Sequence, residues 1–269
     1  TSLLCLQEKS DLRLHDLNVG IVGVGHVGSE VSRLLTRFSI PNINYDPPRS
    51  NREPRFTSAH FEEIKECDIL TFHTPLSHSG NYPTHHLLNR SWFRGANYKL
   101  ILNTARGGVV DEQLIMEELE IGRLKNTIID VWEHEPDFNI RLSNKALFAT
   151  PHIAGYSLQS KQRASEMIIQ EFCRFTGLQT PAFDPQPDWY PDLKENYQSL
   201  SELLTDLHPI QWFTEQMRKM AENAPEKRGE HFARLRSESD LRHEYTHIRL
   251  SEHLIDQFPE LTLLGIRPS

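Results

Sequence analysis

Between residues 19 and 150 the chain alternates short apolar runs with amphipathic stretches. "VGIVGV", from Val19 to Val24, is an apolar, β-branched run with polar flanks, the pattern of a strand buried on both faces. From about His26 to Arg37 apolar residues recur at helical spacing, with Val27, Val31, Leu34, Leu35 and Phe38 on one stripe, until "SIP" breaks the helix at Pro41. "INYD" predicts a second strand ending at Asp46, "FEEIKEC" a short helix, "DILTFHT" a third strand and "KLILN" a fourth. "DEQLIMEELEIGRL" predicts a helix with Leu114, Ile115, Glu118 and Leu119 at helical spacing, and "NTIIDVW" another strand, with a further one at "FAT". Strands alternating with helices in this way predict an α/β fold, a doubly wound parallel sheet with right-handed crossovers and helices on both faces.

After "FATPHIAGYS" the spacing predicts a helix from about Leu158 to Phe175. The texture then changes to "TPAFDPQPDWYPDL", whose prolines and aspartates mark a linker. Beyond about Gln198 come helices near "SELLTDL" and "IQWFTEQMRKMAE", the charged stretch "KRGEHFARLRSESDLRHEY" and a closing apolar stretch. There is no internal repeat and no low-complexity tract.

The formal net charge of -8 argues against a polyanion-binding surface, so nucleic acid is not an expected partner. Cys5, Cys67 and Cys173 lack paired spacing, which suggests neither a disulfide framework nor a zinc ribbon and fits a reducing, cytoplasmic setting. Cys67, just before a strand, reads as core. No apolar run approaches the roughly 18 residues of a membrane span, so no membrane is expected as a partner. His73, His85, His86 and His134 lack a recognised metal-ligand spacing, read as polar loop residues, and leave no metal expected. The chain opens with Thr1, and "TSLLCLQ" reads as the interior of an amphipathic helix, so a preceding segment is expected.

The chemistry concentrates at the carboxyl ends of the strands. Gly23, Gly25 and Gly28 form G-x-G-x-x-G between a predicted strand and helix: the first permits the tight turn, the second lets backbone approach a pyrophosphate, and the third lets helix and strand pack closely. Asp46, about 20 residues on at the end of the second strand, can accept from ribose hydroxyls and repel a 2′-phosphate, which favours NAD over NADP. Arg49 in "DPPR" weighs the other way, since a nearby arginine pairs with a phosphate. Arg106 follows "LILNTA", and its planar guanidinium suits a substrate carboxylate, while Gly107 and Gly108 are expected to let the backbone pass close to the cofactor. Glu135 follows "IIDVW", and His152 follows "FAT" and a proline. A histidine at a strand end moves a proton near neutrality, and a carboxylate partner stabilises its charged form.

"VGIVGVGHVGSEV", "DILTFHTPLS", "LILNTARGGVVDE", "IIDVWEHEP" and "TPHIAGYS" together resemble the NAD-dependent D-2-hydroxyacid dehydrogenases, over about Leu14 to Phe175. "HFARLRSESDLRHEY" resembles the C-terminal dimerisation domain of one branch of that family. The resemblance implies that Arg106, Glu135 and His152 are catalytic, and that His26, Val27, Thr74, Thr104, Ala105, Asp130 and Gly155 join Gly23, Gly25, Gly28 and Asp46 around NAD. Arg106 and Tyr156 would touch the substrate, a phosphorylated 2-hydroxy acid. It divides the chain into a dinucleotide-binding domain over 1–155 with the end of an interdomain helix, a returning substrate-domain helix over 156–180, and a linker with a smaller α+β dimerisation domain over 181–269. In the family the substrate domain also has an N-terminal part, expected to lie ahead of Thr1 and to carry phosphate contacts. A homodimer is further expected because the C-terminal helices have apolar stripes and too little sequence to bury them alone. Two alternatives stay open: a dehydrogenase of another D-2-hydroxy acid, such as D-3-phosphoglycerate, and an NAD-sensing, non-catalytic binding protein of the same fold.

Overall fold

The apolar runs form six strands, β1 (Val19–Val22), β2 (Asn42–Tyr45), β3 (Ile69–Phe72), β4 (Leu100–Asn103), β5 (Thr127–Ile129) and β6 (Phe148–Ala149). In the computed structural model, which describes residues 1–10, 12–223, 225–238 and 242–269, they make one sheet in the order β2-β1-β3-β4-β5-β6. Every neighbouring pair is parallel, with Val19 beside both Asn42 and Ile69. The helices are α1 (Ser2–Glu8), α2 (His26–Arg37), α3 (Pro47–Ser50), α4 (Phe61–Lys65), α5 (Glu112–Ile121), α6 (Ile140–Lys145), α7 (Leu158–Thr176), α8 (Leu200–Leu207), α9 (Ile210–Asn223), α10 (Arg228–Glu238) and α11 (Glu252–Gln257). None among the described residues is long and apolar enough to cross a membrane.

Contacts group the chain into two units, Thr1–His152 with Pro209–Glu238, and Ile153–His208 with Ser239–Ser269. In the first, alternate strand residues feed opposite faces of the sheet. Val22, Leu70, Phe72, Ile101 and Ile129 join a cluster with Trp92, Ile115 and Trp132. Val19, Ile21, Ile69, Leu100 and Ile128 join one with Leu6, Leu14 and Leu35. Both faces are therefore dry, as continuous apolar strands require. From β1 the chain steps outward to β2 and then returns past β1 to β3, so the switch point where doubly wound sheets bind ligands lies at the carboxyl ends of β1 and β3.

Two expectations are corrected here. Val27, expected on the buried stripe of α2, is 61% exposed, and Leu34 also faces outward. The helix packs instead through Gly28, Val31 and Leu35. The second concerns the apolar stripes of α9 and α10, which are covered in large part by their own chain: Met217 and Phe232 are buried in the cluster that holds Trp132 and Phe138, while Trp212 of α9 is exposed. α9 also closes the edge of the sheet, with Thr214 Oγ1 accepting the Ala149 N–H at 3.1 Å and Arg218 donating to the Ala146 carbonyl at 2.8 Å. An edge strand's unpaired amide is thereby satisfied. The contacts thus group 209–238 with the sheet, whereas the sequence reading groups it with the rest of 181–269.

In the second unit α7 is capped by Ser157, which accepts the Ser160 N–H, and ends at Gly177 with φ +72, as a left-handed C-cap requires. Met167, Ile168, Phe172 and Phe175 on this helix are exposed. Leu203, Leu204 and Leu207 of α8 are buried, and β7 (Arg249–Leu250) pairs in parallel with β8 (Arg267–Pro268). Ser239, Asp240 and Leu241 of the charged stretch, and Asp11 near the start, lie outside the described residues.

Candidate active site

The three glycines of the β1–α2 turn serve separable purposes. Gly23 has φ +87, a region side chains rarely adopt, and a Cβ there would meet Thr74 Cγ2 at 2.6 Å. A Cβ on Gly28 would lie 2.0 Å from the Gly23 carbonyl oxygen, so this glycine seats the helix on the turn. A Cβ on Gly25 would meet nothing within 4 Å. That open space faces the start of α2, which no side chain caps, and a helix N-terminus carries partial positive charge that suits a phosphate.

Asp46 follows β2 and is bound to the same turn: Oδ2 accepts the Val24 N–H at 2.8 Å and Oδ1 the Arg49 N–H at 2.9 Å. Arg49 is committed elsewhere. Its guanidinium donates to the Val24 carbonyl, to Ser29 Oγ at 3.1 Å and to Glu53 Oε2 at 2.8 Å, and lies over the Phe56 ring. A cation so engaged is not available to a 2′-phosphate, which removes the argument for NADP.

Beyond β4 the buried Asn103 builds the turn that presents Arg106. Its Oδ1 accepts the Ala105 N–H at 3.2 Å and its Nδ2 donates to the Arg106 carbonyl at 3.1 Å. Arg106 is exposed. Its guanidinium donates to the Ala105 carbonyl at 2.6 Å, and among the described residues no carboxylate pairs with it. The glycines that follow have reasons within the protein itself. A Cβ on Gly107 would come within 1.8 Å of the Trp132 carbonyl oxygen, and Gly108 has φ +80, so the first makes room for protein backbone and the second takes a conformation that side chains rarely adopt.

Glu135 and His152 come together from different strand ends. Glu135 Oε2 lies 2.8 Å from His152 Nδ1, and its Oε1 accepts the Trp132 N–H at 2.8 Å. A carboxylate at that distance places the ring proton on Nδ1 and leaves the Nε2 lone pair as the base. The pair is partly exposed, with 28% of the histidine side chain and 24% of the glutamate side chain accessible. His152 adopts φ +57, donates its N–H to the Asp130 carbonyl at 2.7 Å and accepts from Arg236 Nε at 3.1 Å.

The remaining expected residues divide between the units. Asp130 is buried after β5, and its Oδ1 accepts from Thr150 Oγ1 at 2.6 Å. Thr104 and Ala105 fill the turn before Arg106. Thr74 packs under Gly23, and its Oγ1 is buried with no partner among the described residues. His26 and Val27 open α2. Gly155 and Tyr156 belong to the second unit, where the Tyr156 ring carries Lys161 Nζ at 3.8 Å. The space at Gly25, the uncapped helix, the Asp46 carboxylate and the unpartnered threonine hydroxyl fit a dinucleotide.

Sequence reasoning missed several contributors. His73, read as a polar loop residue, is mostly buried, and burial pushes it down to about 4, so it is neutral near pH 7. His86, also read as a loop residue, has Nε2 3.2 Å from Glu133 Oε1 and Nδ1 3.9 Å from Asp111 Oδ2. Trp132 links the strand ends through its amide to Glu135 and its indole N–H to the Thr150 carbonyl at 3.0 Å. Cys67 is core, as expected, with burial pushing its thiol up to about 12.

Residues 6–154 match the family described as D-isomer specific 2-hydroxyacid dehydrogenase, NAD binding domain. The erythronate-4-phosphate dehydrogenase of Bacteroides fragilis is 40% identical over 182 residues, covering 67% of this chain and 52% of that protein. That of Marinobacter nauticus is 33% identical over 245 residues, covering 87% of this chain and 64% of that protein. The chain spans about half the length of the first of these curated relatives. Among solved structures, the NAD-complexed D-isomer specific 2-hydroxyacid dehydrogenase of Lactobacillus delbrueckii ssp. bulgaricus matches with TM-score 0.53 and 24% identity, over 62% of this chain and 56% of that one. The D-lactate dehydrogenase of Aquifex aeolicus, complexed with NAD and lactic acid, matches with TM-score 0.52 and 23% identity, over 65% and 61%. At those identities the two structures speak for the fold. This chain belongs to the D-isomer specific 2-hydroxyacid dehydrogenases, carries their NAD-binding domain over residues 6–154 and takes NAD as its cofactor.

Proposed function

We propose that this chain is the cofactor-binding and proton-transferring part of an erythronate-4-phosphate dehydrogenase. It would oxidise 4-phospho-D-erythronate to 2-oxo-3-hydroxy-4-phosphobutanoate, a step of pyridoxal 5′-phosphate biosynthesis, in the cytoplasm and as a homodimer. The observation that carries the reading is the His152–Glu135 pair at 2.8 Å, with an exposed Arg106 that pairs with no carboxylate among the described residues. The substrate assignment is supported by relatives of that name at 33–41% identity.

His152 Nε2 takes the proton of the substrate's 2-hydroxyl. Glu135 holds Nδ1–H and stabilises the imidazolium that forms. Arg106 grips the substrate carboxylate through parallel charge-assisted hydrogen bonds, fixing which carbon presents its hydrogen. Bound NAD supplies the hydride acceptor. Contacts to the substrate phosphate would come from sequence that the longer relatives carry beyond the part matched here. The exposed apolar residues of α7 suit a helix that packs against that further sequence. NADH formation from 4-phospho-D-erythronate, by the product of the whole reading frame that encodes this chain, tests the proposal. Faster turnover of D-3-phosphoglycerate would reassign the substrate, and no turnover of any 2-hydroxy acid with NAD binding intact would favour a non-catalytic sensor.

A further inference from the structure

Glu112 opens α5, six residues beyond Arg106, and is only 7% exposed. Burying a carboxyl group is costly unless it is hydrogen-bonded, and here one oxygen is held by a backbone amide. Glu112 Oε1 accepts the Glu133 N–H at 2.8 Å. Glu133 returns the interaction, its Oε1 accepting the Glu112 N–H at 2.9 Å. Two acids thus hold each other's backbone amides, with His86 Nε2 3.2 Å from the second.

The reciprocal pair ties down a particular piece of backbone. Residues 132–135 form the turn that delivers Glu135, whose Oε1 is held by the Trp132 N–H. On one side this turn meets the segment that carries Arg106, through Glu112 and through Gly107, which leaves room for the Trp132 carbonyl. On the other side the Trp132 indole N–H binds the Thr150 carbonyl, two residues before His152. Removing the Glu112 acceptor frees the Glu133 amide and the turn with it.

We propose that Glu112 is a positioning residue: by accepting the Glu133 N–H it holds the 132–135 turn in the conformation that sets the Glu135 carboxylate against His152 Nδ1. The kinetic consequence rests on the proposed dehydrogenase function, whereas the consequence for the imidazole does not. Three variants test it, Glu112→Ala, Glu112→Asp and Glu112→Gln. Asp keeps the charge at the helix start but withdraws the carboxylate by one methylene, and so serves if Ala does not fold. Gln keeps an acceptor for the Glu133 amide.

Nitrogen-15 spectra of His152, recorded where the imidazole is neutral, report which ring nitrogen carries the proton. Wild type and Glu112→Gln are expected to hold it on Nδ1, while Ala and Asp variants are expected to populate the Nε2–H form. In turnover the Ala and Asp variants should lose about 10- to 100-fold in kcat, the scale of a misplaced catalytic group, with KM for NAD unchanged and most of the loss recovered by Gln. A wild-type tautomer in Glu112→Ala or Glu112→Asp overturns the proposal, as does a Gln variant as impaired as Ala. If the wild-type protein oxidises no 2-hydroxy acid, the proposed function fails and the tautomer comparison still decides the role of Glu112.

Discussion

Gly25→Ala and Gly28→Ala separate two physical reasons for glycine within one turn. In Gly28→Ala the new methyl would sit 2.0 Å from the Gly23 carbonyl oxygen, against an ordinary contact of 3.4 Å or more. The start of α2 must therefore retreat by about 1.4 Å. Overpacking of this kind costs about 1–3 kcal/mol, offset by up to ~1 kcal/mol from the better helix propensity of alanine. The expected net loss is about 1–2 kcal/mol, or roughly 2–4 °C in melting temperature for each kcal/mol in a chain of this size. The same retreat carries the first-turn amides away from the pyrophosphate, so NADH affinity should fall more than about tenfold, ~1.4 kcal/mol. Gly25→Ala meets nothing within 4 Å. Its stability cost is at most the ~1 kcal/mol between glycine and alanine at an N-cap, yet its methyl occupies the space assigned to cofactor, so affinity should fall about as far. Thermal melts with and without NADH, together with NADH fluorescence titrations, measure both. A Gly28→Ala protein that melts like wild type would refute the packing argument, and a Gly25→Ala protein with wild-type affinity would refute the placement of the cofactor.

The His152–Glu135 pair, in its proposed role, and its surroundings give further tests. His152→Ala should lower kcat by about 100- to 10,000-fold, the range of a lost acid–base group, while NAD affinity from calorimetry stays within twofold of wild type (~0.4 kcal/mol). Arg106→Lys should raise KM for the 2-hydroxy acid roughly tenfold or more, because an ammonium cannot make the parallel pair of hydrogen bonds; an unchanged KM would remove Arg106 from the carboxylate. Glu112 gives a pH signature. Burial raises it from 4.5 to about 7, opposed by the Glu133 amide bond and assisted by the neighbouring Glu133 charge. The folded chain therefore holds a proton that the unfolded chain releases over this window. Its contribution to stability is full below pH 4.5 and lost as pH rises through about 7, a change of up to about 3 kcal/mol. Urea unfolding should show Glu112→Gln gaining stability over wild type at pH 8 and little at pH 5, and parallel pH profiles would contradict this.

The legible part of the molecule was what repeats locally. The strands, the glycine turn and Asp46 stand at spacings set by a βαβ unit, and Arg106, Glu135 and His152 stand out because strand ends converge on one edge of a parallel sheet. What pairs across long separations left no local trace. The Arg236 bond to the His152 carbonyl spans 84 residues, the Glu112–Glu133 exchange spans 21 and the Thr150–Asp130 bond spans 20. The destination of α9 was hidden for a related reason. An apolar stripe reads the same whether it covers its own sheet, as Met217 does, or a second chain. A glycine signals close approach without naming what approaches, and for Gly107 the structure supplies one partner, the Trp132 carbonyl.

In the proposed reaction His152, held by Glu135, and Arg106 together oxidise 4-phospho-D-erythronate with NAD. The most direct measurement is kcat/KM for NADH formation with that substrate and with D-3-phosphoglycerate, for the wild-type protein and for His152→Ala and Arg106→Lys. The account predicts a clear preference for 4-phospho-D-erythronate that both substitutions abolish or sharply reduce. Equal or greater efficiency with D-3-phosphoglycerate, or turnover that survives His152→Ala unchanged, would contradict it.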